Sequence, residues 1–136
     1  MSASRFLIDT SGLFRILQKH HRTAWSDFLT AGVIAVCPIV ELEFLFSARS
    51  LADRLRKQQL LREIFTWIPM SDRAYERAEE VQQALTERGA HRSAGPVDLL
   101  VAATAERSGL VLLCDDQDYE VVSAVTGQPV RRITTL

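Results

Sequence analysis

Apolar residues in this chain fall into short dense runs separated by longer amphipathic stretches, and the two kinds of segment alternate from one end to the other. Residues 5–8 (RFLI) and 33–36 (VIAV) read as short buried strands. The run 110–113 (LVLL) has no polar position at all, the mark of a strand covered on both faces. Residues 66–69 look like a short edge strand, since Pro69 is tolerated there, and 130–133 like a last weak one. Between them lie helical patterns. Thr10 or Ser11 can cap a helix through Leu13, Ile16 and Leu17. A second helix is expected from a Thr23 cap through Trp25, Phe28 and Leu29 to Gly32. Pro38 opens a third, residues 38–50. Ser50 with Asp53 forms a capping box for a helix to about Phe65. Ser71 caps a helix whose Ala74, Ala78, Val81 and Leu85 follow the three-to-four spacing of an amphipathic stripe; Glu76, Arg77, Glu79 and Glu80 lie off it, on a solvated face. The polar break at 87–94 is a loop. Gly95-Pro96 then starts a largely apolar helix that Gly109 ends in the left-handed conformation. A short helix or turn follows Tyr119.

Strands alternating with helices point to an α/β sandwich with a mainly parallel central sheet. At 136 residues the chain is expected to form one domain spanning 1–136, with no repeat or internal boundary. No run of about twenty apolar residues exists, so no membrane-spanning segment is expected. The opening residues, MSASRFLID, enter a strand at once and leave no room for a signal peptide. Cys37 and Cys114 match no metal or redox spacing and sit beside apolar runs, which suits small buried hydrophobes in a reducing cytoplasm. A net charge of −1 argues against coating nucleic acid by bulk charge, while fourteen Arg against two Lys favours forked contacts to phosphate or carboxylate.

The acids change the picture. In an open parallel sheet, sites lie outside the carboxyl ends of the strands. Asp9 ends the first strand, and Asp115, Asp116 and Asp118 follow the strand at 110–113. Asp98 opens the helix before that strand, and an antiparallel helix–strand pair returns it beside Asp116. Glu43 lies in the early turns of the helix after the second strand. Each acid has an ordinary role open to it: Asp98 complements a helix dipole, Asp9 suits a turn, and the others suit solvated surface. Together, at equivalent ends of one sheet, they read as a site. Glu41 and Glu43 cannot both serve, because residues two apart on a helix point about 200° apart. Glu43 is assigned to the site and Glu41 to its rim or an interface.

Four segments carry a family resemblance: DTSGLF (9–14), PIVELEF (38–44), PVDLLVAATA (96–105) and LLCDDQDY (112–119). In order and spacing they resemble the four acidic motifs of the PIN-domain family, and the size of the chain is similar to that of VapC toxins, the ribonuclease half of type II toxin–antitoxin pairs. The resemblance implies a three-layer α/β/α sandwich. It also implies that Asp9, Glu43, Asp98 and Asp116 are the metal-site acids, with Asp118 a candidate fifth. Ser47 departs from a Gly found in many relatives, a matter of packing. The doubled Asp115-Asp116 leaves two residues available for the fourth position.

Four carboxylates within a few ångströms repel strongly: at an effective dielectric near 20, two unit charges ~4 Å apart cost about 4 kcal/mol. Some protonate, or a hard cation enters. An oxygen-only set suits Mg²⁺, with Mn²⁺ as a substitute, and disfavours zinc. The expected chemistry is hydrolysis of an RNA phosphodiester by metal-activated water. Thr10 or Ser11 can orient a water, although capping is their simpler role. Arg15, Arg49 and Arg92 are candidates for guiding RNA. His20-His21 reads as surface. The helix at 38–50 is apolar around much of its circumference, with Ile39, Leu42 and Phe46 on one arc and Val40 and Phe44 on another, so core or partner covers several sides. The resemblance implies a homodimer and a VapB-like antitoxin as partners. A catalytically silent PIN-like adaptor for RNA or a partner is the alternative, and intact acids in all four motifs speak against it. A haloacid-dehalogenase-like phosphatase needs a second Asp where Ser11 stands, and a response-regulator receiver needs an acidic pair and a late Lys that this chain lacks.

Overall fold

Two of the apolar runs are buried at every residue, and they occupy the middle of the sheet. These are β1 (Phe6–Ile8) and β2 (Ile34–Val36); β3 (Thr66–Trp67), β4 (Val111–Cys114) and β5 (Val130–Arg132) complete the order β3-β2-β1-β4-β5. The computed structural model describes residues 4–135, so the first three residues of the opening segment lie outside the described residues. Every pairing is parallel: Phe6 registers with Ile34 and with Val111, Ala35 with Thr66, and Leu113 with Arg131. All five carboxyl ends therefore lie along one edge. Strands β3 and β5 are the two edges of the sheet; the edge position of β3 is as expected, although the strand stops at Trp67, before Pro69.

Helices cover both faces. They are α1 (Thr10–Ile16), α2 (Lys19–Ala24), α3 (Ser26–Thr30), α4 (Pro38–Phe46), α5 (Leu51–Ile64), α6 (Asp72–Glu87), α7 (Pro96–Arg107) and α8 (Tyr119–Thr126). Ala74, Ala78, Val81 and Leu85 of α6 are all buried, as their stripe requires. Arg77, expected on the solvated face, instead forks onto Glu106 of α7, Nε to Oε1 at 2.6 Å and Nη2 to Oε2 at 3.2 Å. This pair joins the start of α6 to the end of α7, so the two run antiparallel. The end of α7 turns directly into the start of β4, so the start of α7, with Asp98, lies back at the carboxyl edge, where Tyr119 meets it. Gly109 (φ +68°) makes the turn from α7 into β4.

Local signals misplace four features. The helix expected from Thr23 is two short ones, broken at Trp25 (φ −97°, ψ 8°). The Thr23 hydroxyl bonds back to the Lys19 carbonyl and caps nothing. Trp25 is fully buried, donates its indole N–H to the Ile133 carbonyl at 3.0 Å, and packs edge-on against Phe6, so a tertiary contact sets the break. The Ser50 hydroxyl accepts the Asp53 amide, but the Asp53 carboxylate accepts from Arg49 in place of Ser50. Ser71 precedes α6 without a side-chain cap. Helix α4 stops at Phe46, short of residue 50, and Ser47 closes it through the Phe44 carbonyl.

Candidate active site

The site begins where β1 ends. The Asp9 amide donates to the Leu113 carbonyl at 3.0 Å, which fixes Asp9 against the end of β4. With its backbone so placed, Asp9 caps α1, and neither Thr10 nor Ser11 does. Its Oδ1 accepts the Gly12 amide at 2.8 Å, and both oxygens accept from the Ser11 hydroxyl at 2.9 Å. Ser11 Oγ in turn accepts the Asp115 amide at 3.0 Å, so its own proton is directed at Asp9. Asp9 is only 4% exposed. Burial pushes its carboxyl up to about 6, against the lowering effect of the Gly12 amide and the Ser11 and Tyr119 hydroxyls; the charge on Asp98 adds the smallest contribution.

Asp98 sits in the first turn of α7, where Oδ2 accepts the Gly95 amide at 3.1 Å. Its other oxygen accepts the Tyr119 hydroxyl at 3.2 Å. Tyr119 is buried, and burial together with the Asp9 and Asp98 carboxylates drives its ionisation far upward, so the phenol remains a donor between two acids. The aromatic after Asp118 was the signal available for this residue, since a buried tyrosine needs a partner for its hydroxyl. Glu43 is exposed, and its Oε1 accepts the Thr10 hydroxyl at 2.6 Å, next to Asp9 in the chain. It lines an open pocket of about 420 Å³ with Thr10, Ile39, Leu42 and Phe46. Glu41 lines a different pocket, with Arg62 and Trp67, which agrees with the helix phase.

The doubled aspartate divides its roles. Asp115 turns inward, 7% exposed, and takes Arg15 Nε at 2.6 Å. Asp116 is half-buried and accepts the Asp118 amide at 2.9 Å, while Asp118 itself is exposed. Asp98 thus holds the Tyr119 hydroxyl with Asp9 close by, Glu43 is tied to Thr10, and Asp116 bonds within its own loop. The expected crowding of four carboxylates within a few ångströms is not reached: among the described residues no three His, Cys, Asp or Glu side chains stand close enough to grip one ion. Like charges spread apart and each takes an amide or hydroxyl donor instead. The donors still fit a hard cation. They are all oxygen, and buried Asp9 resists its own charge until a positive partner compensates it. Arg49 and Arg92 are exposed; His20 and His21 meet edge-on on α2 with ring centres 5.1 Å apart. Cys37 and Cys114 are free and buried, and burial pushes the Cys114 thiol up to about 12.

A family model described as the PIN domain matches residues 6–125, which takes in every acid above. The chain belongs to the PIN-domain family. Among curated relatives, it is 37% identical to Ribonuclease VapC21 of Mycobacterium tuberculosis over 93% of this chain and 92% of that one. It is 35% identical to Ribonuclease VapC2 of the same organism, over 98% and 96%. Solved PIN-like structures share the fold. They include DNA-bound VapBC from Salmonella typhimurium (TM-score 0.73, 19% identity, 96% and 98% covered) and VapBC-1 from nontypeable Haemophilus influenzae (TM-score 0.74, 16% identity, 96% and 98% covered). No helix of the described residues is long and apolar enough to cross a membrane.

Proposed function

We propose that this PIN-domain chain, acting as a single unit over residues 1–136, is a Mg²⁺-dependent endoribonuclease, with Mn²⁺ as a substitute, and the toxin of a VapBC-type pair. The observation that carries the proposal is the proximity of Asp9, Asp98 and the Tyr119 hydroxyl that Asp98 accepts, at the carboxyl edge of a parallel sheet, with Glu43 bonded to Thr10, the residue after Asp9. Asp9, Glu43, Asp98 and Asp116 would hold the cation, with Asp118 at the rim. When bound, a divalent cation supplies Lewis acidity toward the phosphodiester and lowers the pKa of water at the site. The protein's own part is orientation and proton control. Ser11 and Gly12 fix the Asp9 carboxylate, Tyr119 fixes Asp98, and Thr10 fixes Glu43. Burial holds the Asp9 carboxyl near 6 without metal, so a cation bound there would be what keeps it ionised.

The relatives' VapC names support a VapB-like antitoxin and RNA as partners, and several structural neighbours were solved as VapBC complexes. A homodimer and a cytoplasmic setting belong to the same reading, and two free buried thiols suit a reducing compartment. Incubation of purified protein with RNA in Mg²⁺, in Mn²⁺ and in excess EDTA is the test. Cleavage is expected in the two metals and lost in chelator; robust cleavage in EDTA would remove the metal from the reading. Glu43→Gln is expected to abolish cleavage and Glu41→Gln to keep most of it, since the two side chains face different pockets. Equal losses would show that the chosen glutamate is wrong.

A further inference from the structure

We infer that Arg15, held by Asp115, is an anchor for an RNA phosphate beside the acidic site, and that Asp115 is a positioning residue and not a metal-site acid. The inference rests on the RNA-cleaving reading above. The carboxyl edge carries Asp9, Glu43, Asp98, Asp116 and Asp118, a surface that repels a phosphodiester chain unless a cation stands there too. Arg15 lies in the last turn of α1, the helix that Asp9 caps. Only its Nε is engaged, by Asp115 Oδ2 at 2.6 Å, and among the described residues its two terminal nitrogens have no partner. The carboxylate is 7% exposed and the arginine side chain 42%, so the acid holds the inner side of the guanidinium and the outer side is presented to solvent.

A pair serving only to staple two elements is made otherwise in this same chain. Arg77 grips Glu106 with two nitrogens on two oxygens. Asp115 instead leaves Oδ1 buried and without a partner among the described residues, while Arg15 keeps its fork free. That arrangement suits an oxyanion ligand, which arginine binds through two parallel N–H donors. The anchor is also in register with the cleaving acids. The amide of Asp115 holds Ser11 Oγ, and Ser11 holds Asp9, so one strand end sets both the cation and the carboxylate. With Asp115 occupying Nε, the long side chain of Arg15 is kept from folding onto the neighbouring Asp116.

Binding is separated from cleavage by working in the Glu43→Gln background. The probe is a short fluorescein-labelled single-stranded RNA of mixed sequence, followed by fluorescence anisotropy at a series of KCl concentrations. Arg15→Ala is expected to weaken binding about tenfold at low salt. It should also flatten the slope of log affinity against log salt by about 0.7, the share of one phosphate contact on a single strand. Arg15→Lys should keep the slope and recover part of the affinity, which a purely structural role would not produce. Asp115→Asn removes a negative charge and by bulk electrostatics should tighten binding; if it positions Arg15, it weakens binding. Unchanged affinity and slope in Arg15→Ala, or tighter binding by Asp115→Asn, would overturn the inference while leaving the nuclease reading intact. No binding by the parent together with no cleavage by the wild type would overturn both.

Discussion

Asp9 has two roles whose demands on its charge conflict: as a helix cap it is sheltered from water, and as the metal-site acid we propose it must ionise. Its folded-state pKa is raised to about 6 from an ordinary value near 4. The stabilising contribution of a raised acid is complete below its unfolded pKa and is lost as pH rises through the folded one. In the metal-free chain that loss falls between about pH 4 and pH 6 and is worth about 3 kcal/mol. Asn caps helices as well as Asp does. Asp9→Asn is therefore expected to unfold at higher denaturant than wild type in EDTA at pH 7.5, with the advantage shrinking toward pH 4. Mg²⁺ at about 1,000 times its dissociation constant should reverse the order, adding roughly 4.1 kcal/mol to wild type alone. A lower midpoint for Asp9→Asn in EDTA at pH 7.5 would mean that ionised Asp9 is not a strained group. The sequence makes a perturbed acid legible but suggests repulsion as the cause; burial is the larger effect, and it depends on Tyr119 and β4 closing over residues more than a hundred positions away. The same distance hides the split between Asp115 and Asp116, since only the position of Arg15 distinguishes them.

Among the elements, α1 is the one whose placement the site depends on, and Gly12 is what allows it. A Cβ at Gly12 would stand 2.8 Å from the Leu113 carbonyl oxygen and 3.1 Å from the Cys114 Cα, both backbone atoms that cannot swing aside. Gly12→Ala is expected to cost about 1–3 kcal/mol by overpacking. Because the helix must lift off β4, the Gly12–Asp9 and Asp115–Ser11 hydrogen bonds should weaken with it. Chemical denaturation measures the first effect, and hydrogen exchange at the Gly12 and Asp115 amides the second; unchanged protection at both would show α1 to be held from elsewhere. Periodicity alone finds the strands, the α6 stripe and the helix that Pro96 opens, because burial of one face or of both imposes those patterns directly. It does not find the break at Trp25, where no Gly or Pro interrupts the helix and the cause is a bond to Ile133. Nor does it choose among Asp9, Thr10 and Ser11 as the cap. All three are capable, and the register of β1 on β4 decides.

At the scale of the molecule, α4 keeps one apolar arc inside and one outside. Val40 and Phe44 are buried, while Leu42 is 63% and Phe46 92% exposed. Replacing Phe46 removes apolar surface and no core contact, so Phe46→Ser should leave stability within about 0.5 kcal/mol. It should also lower the fluorescence of the apolar dye ANS, which reports exposed hydrophobic patches. A large loss of stability would place Phe46 in the packing of the fold. The parallel order of the sheet has a consequence of another kind. Its central strand, β1, comes first from the ribosome, but one of its two neighbours is β4, which the chain supplies only after residue 110. Asp9 cannot dock on Leu113, Ser11 cannot find the Asp115 amide, and Asp98 cannot meet Tyr119 until that late segment has emerged. A nascent chain therefore carries its acids unassembled for most of its synthesis. The ribosome making this protein is handling, until nearly the last step, a polypeptide whose proposed catalytic site has not yet formed.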